Sequence, residues 1–370
     1  MTVSEVLPPR HALKRGPEKA NGAKTLKRVG LGRKAFSADI QEAQQNPVRV
    51  KASSVKSVDA GKATGAPLPI LYMLSPQKFM SPFDCNMAAD SGYKIVLPYD
   101  NVTVQDVTAL VQDAIFSRPP QSCTGVFIGG KDIHVALEMM RAAKRAMVPP
   151  FEISVFADPG GSFTTAAAMV ACTERQLKRH FKRDLDGARI AVFGATGVVG
   201  FAAAVIAASH GGHVRIVAHE ALEPLEQSAR MAEEQFGAKL EPVAGQTAAL
   251  KAKILRESDV IFTAGPAGVN IISRQQVARA AGLLIAADVN AVPPFGVEGM
   301  DLFMDGVPLP GCSALGIGAL VIGDVKYKTQ AGLFKQMIGS ARPLALDFRD
   351  AFSLAREITM PAKRRRSAAA

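Results

Sequence analysis

Three glycines in one short stretch constrain this 370-residue chain more than any other feature. Gly194-Ala195-Thr196-Gly197-Val198-Val199-Gly200 lies directly between an apolar run, Ile190-Ala191-Val192-Phe193, and an apolar, alanine-rich stretch of helix length. In that context the first glycine permits a tight turn. The second lets backbone N–H groups and a helix N-terminus approach a pyrophosphate, and the third lets the helix pack closely on the strand. Further strands are expected at 214–217, 260–263 and 284–287, so this half reads as a Rossmann unit that binds NAD or NADP near Gly194, Gly197 and Gly200. A glycine-rich turn with no ligand is the plain alternative.

The preceding segment alternates in the same manner. Pro69-Ile70-Leu71-Tyr72-Met73-Leu74 is an apolar run of strand length, and Ser81-Pro82-Phe83-Asp84 supplies a capping hydroxyl, a first-turn proline and a first-turn acid for a helix. Strands at 94–97, 124–128 and 153–156, with helices opening at Thr103 and spanning 133–147, complete four β units, which implies right-handed crossovers and a mainly parallel sheet. A long alanine-rich helix from Ser162 to about Phe181 is expected to bridge the two halves. The predicted fold class is α/β with two domains: an N-terminal parallel α/β domain over 67–165, and a Rossmann-fold NAD(P)-binding domain with C-terminal helices over 166–358.

Hydrophobic residues make up 48% of the chain, ample for such cores. The net charge of +11 suggests a nucleic-acid partner until its location is considered. Residues 1–66 hold 13 Lys or Arg against 5 acidic residues, and Lys363, Arg364, Arg365 and Arg366 add four positive charges, so the body between is close to neutral. The leader (1–66) and tail (359–370) lack a sustained apolar period and read as disordered and basic, although an organelle transit peptide has a similar composition. Nucleic acid is therefore not an expected partner. Cys85, Cys123, Cys172 and Cys312 form no CxxC pair, which gives no metal site and fits a reducing, cytoplasmic setting. No apolar run has membrane-spanning length, and a homo-oligomer is expected.

Several strand ends carry candidate ligand contacts, because ligands bind outside the carboxyl ends of such strands. Ala218-His219-Glu220 ends the second Rossmann strand, where an acid reads the 2′-hydroxyl of NAD and a cation the 2′-phosphate of NADP. His219 is neither, which predicts mixed preference or an uninvolved loop histidine. Thr263-Ala264-Gly265-Pro266 and Asp288-Val289-Asn290 face the same crevice, with Asp288 or Asn290 a candidate for the nicotinamide-side ribose; turn formation is the alternative. Ala314-Leu315-Gly316-Ile317-Gly318 reads as a second phosphate or nicotinamide loop, or as the start of a packed helix. In the first half, Asp158-Pro159-Gly160-Gly161-Ser162-Phe163-Thr164-Thr165 and Lys131 stand at the mouth of the expected cleft, suited to substrate binding or, for Ser162, to helix capping. GxSxG, HExxH and P-loop patterns are absent, which disfavours hydrolysis and metal chemistry.

Taken together, Ser81-Pro82-Phe83-Asp84, Phe127-Ile128-Gly129-Gly130-Lys131, Phe156-Ala157-Asp158-Pro159-Gly160-Gly161-Ser162-Phe163-Thr164-Thr165 and Asp288-Val289-Asn290-Ala291-Val292-Pro293-Pro294 resemble the methylene-tetrahydromethanopterin dehydrogenases of methylotrophic bacteria, in their NAD(P)-using branch. The likeness runs from about Pro69 to Ile358 and leaves out the leader and the tail. It implies hydride transfer from the methylene group of methylene-tetrahydromethanopterin to NAD or NADP, giving the methenyl cation without an essential His or Cys base. It further implies that Phe83, Asp84, Lys131, Asp158, Phe163 and Thr164 shape the pterin side, with Asp158 and Lys131 nearest the chemistry. Gly194, Thr196, Gly197, Val198, Gly200, His219, Ala264, Gly265, Asn290 and Gly316 would form the dinucleotide side. The NADP-restricted branch carries an arginine near the second strand end and a lysine soon after the Gly-Ile-Gly loop, where this chain has His219 and Val321; this counts against a lysine-assisted step. A related two-domain dehydrogenase acting on methylene-tetrahydrofolate or a shikimate-type substrate, and a dinucleotide-sensing protein that binds nucleic acid, are the rival readings.

Overall fold

The computed structural model describes residues 67–120 and 122–360. The expectations for the leader, and for the tail from residue 361, lie outside the described residues. The first sheet is wholly parallel, with strands in the order β12-β4-β3-β1-β2: β1 (Ile70–Leu74), β2 (Ile95–Tyr99), β3 (Thr124–Ile128), β4 (Ser154–Ala157) and β12 (Ala345–Leu346). Its connecting helices are α1 (Pro82–Asp90), α2 (Val107–Phe116) and α3 (Ile133–Ala146). Ser81 caps α1 through its hydroxyl, which accepts from Asp84 N, with Pro82 at the first helical position. The α2 start differs from expectation. Thr103 donates both its amide and its hydroxyl to Asp106 Oδ2, closing a separate turn, and the helix begins only at Val107.

The expected bridging helix is α4 (Ser162–Gln176), continued by a π turn over Leu177–Phe181. Its alanines are fully buried, because methyl-sized side chains let neighbouring helices approach closely. The second sheet follows, in the order β10-β11-β9-β8-β5-β6-β7. Its strands are β5 (Arg189–Phe193), β6 (His213–Ala218), β7 (Leu240–Ala244), β8 (Val260–Thr263), β9 (Ile285–Asp288), β10 (Asp305–Pro308) and β11 (Leu315–Ile317), of which only β10 is antiparallel. The helices are α5 (Val198–Ser209), α6 (Glu223–Phe236), α7 (Ala248–Arg256), α8 (Arg274–Ala278), α9 (Ala319–Gly339) and α10 (Phe348–Thr359). From β7 through β6, β5, β8 and β9 to β11, this is the doubly wound order of dinucleotide-binding sheets.

β7, β10 and β11 are additions to the sequence expectation. Their sequences, LEPVA, DGVP and LGI, carry the Pro and Gly that argue against strand interiors, and β7 and β10 are edges, where such residues are tolerated. The C-terminal segment, expected to accompany the second sheet, also builds the first: β12 pairs with β4, and α9 packs on β3, β4, α1, α4 and α10. One continuous apolar core consequently runs beneath both sheets. None of the helices among the described residues is long and apolar enough to cross a membrane.

Phe334 fastens α9 to the first sheet. It is fully buried, with its ring 6.1 Å from Tyr93, 5.5 Å from Phe127 and 5.4 Å from Phe156, two of the three pairs edge-on as aromatic quadrupoles prefer. Phe334→Ala is expected to lower unfolding free energy by about 3–5 kcal/mol in urea titration. A loss below about 1 kcal/mol would mean that the aromatic group does not hold the helix.

Candidate active site

The glycine strip behaves as three positions with different duties. Gly194 has φ +88°, and a Cβ there would sit 2.5 Å from the Ala264 carbonyl oxygen, so strand β8 can approach only a glycine. A Cβ at Gly200 would run into the Gly194 carbonyl, which is the close packing of α5 under the turn. At Gly197 a Cβ would meet only Gly194 O, at an ordinary 3.4 Å. Thr196 and Gly197 are exposed, and Gly197 caps α5 with no side-chain hydrogen bond, so the first amides of the helix stay available to an anion.

Beside this helix end lies a cavity of about 380 Å³, lined by Gly194, Thr196, His219, Gly265, Lys251 and Asn270 among others. His219 is exposed just past the end of β6. Ala264 N donates to Phe193 O (2.9 Å), which pins the next strand end against the glycine turn. A glycine surface that excludes side chains, an uncapped helix N-terminus and an adjoining cavity of this size together fit a dinucleotide.

Three expected contacts are placed differently. Asn290 is nearly buried and spends its amide on the loop: Oδ1 accepts from Val292 N (3.0 Å) and Gly268 N (3.3 Å), and Nδ2 donates to Pro294 O (3.1 Å). Asp288 accepts from Asn290 N and Val297 N, both at 3.0 Å; burial raises its pKa, and these amides oppose the rise. Gly316 lies inside β11, where a Cβ would come 2.6 Å from Met304 Sδ. Its glycine serves packing, and the stretch expected as a loop is a strand ending at the N-cap of α9.

The second cluster gathers at the carboxyl edge of the first sheet. Asp158 follows β4 and is fully buried. Its Oδ1 accepts from Phe163 N (2.8 Å) and Thr164 N (3.2 Å), and its Oδ2 accepts from the Thr164 hydroxyl (2.6 Å). Burial pushes its pKa up to about 6, against the opposing pull of Lys326 and of the Thr164 hydrogen bond. Lys326, on α9, places Nζ 3.9 Å from the centroid of the half-exposed Phe83 ring and donates to Gln330 Oε1 (2.6 Å). Gln330 Nε2 in turn donates to buried Asp84 Oδ1 (2.7 Å). A Cβ on Gly161 would come within 2.9 Å of Lys326 Cε and Nζ, so the Gly160-Gly161 turn, with φ of +59° and +67°, exists partly to admit this side chain. Burial lowers the Lys326 pKa while Asp158 and Asp84 act to keep its proton; burial likewise raises Asp84.

Of the residues expected here, Phe83, Asp84, Asp158 and Thr164 thus come together. Phe163 is fully buried edge-on against Phe348 (5.1 Å), and Lys131 is exposed with no hydrogen bond or ion pair among the described contacts, beside the loop carrying Gly160. Lys326 and Gln330 were not expected. Lys326 lies on the same helix as Val321, five residues further along. The available signal in the sequence was only a Lys-Gln pair at i,i+4; that Thr329 and Gln330 are wholly buried appears only in the fold. Among the described residues no group of three or more His, Cys, Asp or Glu is placed to hold a metal ion.

Three measurements check this geometry. Gly197→Asp should fold normally yet weaken dinucleotide binding by on the order of 2–4 kcal/mol in calorimetry, since a carboxylate would face the pyrophosphate. Gly200→Ala should instead cost about 1–3 kcal/mol of stability through overpacking; equal affinity in Gly197→Asp and wild type would remove the assignment. For Asp158, a folded pKa raised above the unfolded value means that the native state holds the proton more tightly, so stability is greatest below the unfolded pKa and falls as pH rises through about 6. Relative to Asp158→Asn, wild type should lose on the order of 2–3 kcal/mol between about pH 4 and 6, and parallel curves would show an unperturbed carboxyl.

Residues 82–160 match the sequence model of the family described as methylene-tetrahydromethanopterin dehydrogenase, N-terminal. The chain is 49% identical over 291 residues to the NAD(P)-dependent methylenetetrahydromethanopterin dehydrogenase of Methylorubrum extorquens, covering 78% of this chain and 98% of that protein. It is 29% identical over 293 residues, at the same two coverages, to the Bifunctional protein MdtA of that organism. A solved shikimate 5-dehydrogenase from Listeria monocytogenes superposes with a TM-score of 0.47 at 12% identity, covering 79% of this chain and 96% of that one. On the strength of the first relative, the chain belongs to the family of NAD(P)-dependent methylenetetrahydromethanopterin dehydrogenases.

Proposed function

We propose that this protein oxidises methylene-tetrahydromethanopterin to the methenyl cation, passing the hydride to NAD or NADP in one-carbon oxidation. The observation that carries the reading, within the family, is the cluster of two buried carboxylates around Lys326, on a helix that starts at the carboxyl edge of the dinucleotide-side sheet. From Gly318 to Lys326, α9 rises roughly 12 Å, which carries it from the edge of the second sheet to the carboxyl cluster of the first. When bound, the oxidised nicotinamide supplies the hydride acceptor.

The residues of this chain have separable duties in that reading. Gly194, Thr196, Gly197, Val198 and Gly200 offer turn and amides to the pyrophosphate, while Ala264, Gly265 and His219 border the nucleoside. The Phe83 face and the Lys326 ammonium meet the pterin. Asp84 and Asp158, both beneath the surface, act by field: with both ionised and Lys326 charged, the cluster is net negative and favours the cation that forms as hydride leaves. No proton moves at the reacting carbon, so the groups of this cluster are asked to supply charge and not to accept the substrate's proton. Thr164 orients Asp158, and Lys131 stands at the mouth. The four cysteines are free, in keeping with a reducing cytoplasm.

Appearance of reduced nicotinamide with methylene-tetrahydromethanopterin and each dinucleotide tests the reading; turnover with methylene-tetrahydrofolate alone would overturn it. In the active enzyme kcat should rise with pH as Asp158 ionises near 6. Asp158→Asn should lower kcat and flatten that limb, and Lys326→Met should move it to higher pH, because the charge that favours the ionised carboxyl is gone. A limb unmoved by either substitution would take Asp158 out of the chemistry.

A further inference from the structure

The cavity beside the end of β6 contains one cation that the reading above leaves idle. Lys251, in the first turn of α7, lines that cavity together with Gly194 and Thr196 of the glycine strip. No acidic side chain lines it, and none of the ion pairs among the described residues includes Lys251. Its Nζ donates to Ile271 O (3.0 Å), which leaves most of the three-donor ammonium uncommitted. Burial lowers the Lys251 pKa from the ordinary lysine value, so the half-withdrawn charge gains from any anion that reaches it.

We propose that Lys251 binds the ribose 2′-phosphate of NADP and so sets the balance between NADP and NAD; the proposal rests on the dinucleotide reading of this cavity. The ribose 2′ position lies by the end of the second Rossmann strand, and Val217, Ala218 and His219 form that wall of the cavity. NADP sites commonly place their cation near this strand end. Here the strand end offers only His219 followed by the acid Glu220, and the permanent charge comes from α7, the helix after the neighbouring strand. Because Lys251 keeps its own acceptor in Ile271 O, the cavity does not need an anion to remain satisfied. NAD, with a hydroxyl at that position, is then admitted without penalty.

The test is calorimetry of wild type, Lys251→Met and Lys251→Arg with NADP+, NAD+, adenosine 2′,5′-bisphosphate and adenosine 5′-monophosphate, with thermal unfolding as the check on folding. Lys251→Met should weaken NADP+ and the bisphosphate about tenfold or more and leave NAD+ and the monophosphate within about threefold. Lys251→Arg should restore most of the loss, since it keeps the charge. Equal weakening of NADP+ and NAD+ would overturn the proposal and make Lys251 a tether for the loop at Ile271, and no change in either would overturn it as well. Wild type binding neither dinucleotide would instead remove the reading of the cavity itself, and the proposal with it.

Discussion

The seating of α9 across the first sheet is the constraint on which the rest depends. Its N-cap, Gly318, leaves no room for a side chain beside the Asp301 and Leu302 carbonyls, so the helix starts at one fixed point on the edge of the second sheet. Its far half is fixed by Phe334 among three aromatic rings. Between those anchors Lys326 has little freedom, and neither do the carboxylates it meets. The helix thereby ties the edge of the second sheet to the carboxyl cluster of the first, and in the proposed reading this meets the positional demand of direct hydride transfer.

Holding Lys326 between Asp84 and Asp158 has a cost. Burial raises both carboxyls and lowers the amine, so every member of the cluster is shifted toward its neutral form. Attraction to Lys326 and the hydrogen bonds from Thr164 and Gln330 oppose this without cancelling it, while repulsion between the two carboxylates adds to it for Asp158. A cluster on the verge of neutralisation is a poor stability device and a good electrostatic one, because a charge appearing nearby meets groups that little water screens.

Much of this was legible in the chain. The glycine strip, the alternation of apolar runs with helices, the Ser81 cap and the Asp158–Thr165 turn all obey local rules, since each depends on neighbours close in sequence. What was not legible depends on partners far away. β12 is a strand only because β4 offers an edge, and β11 hid behind a glycine that proves to make room for Met304. Phe163 and Asn290 had the residue types and positions of ligand contacts, but Phe348 and the 290–297 loop claim them. Lys326 lies 168 residues from Asp158, and only tertiary packing brings the two charges within each other's reach.

The shared core also bears on how the cleft is held. Alanine-rich α4 packs against α5, α9 and α10, and the apolar cluster beneath the first sheet continues without a break under the second. Buried methyl groups at such an interface leave few rotamers to rearrange, and close-packed interiors resist small changes in spacing. The distance between the glycine strip and the Lys326 cluster is therefore set by helix packing more than by loops. An enzyme that needs no proton shuttle, and only a fixed approach of donor carbon to acceptor ring, gains most from that arrangement: the entropy of alignment is met when the chain folds and not at each turnover.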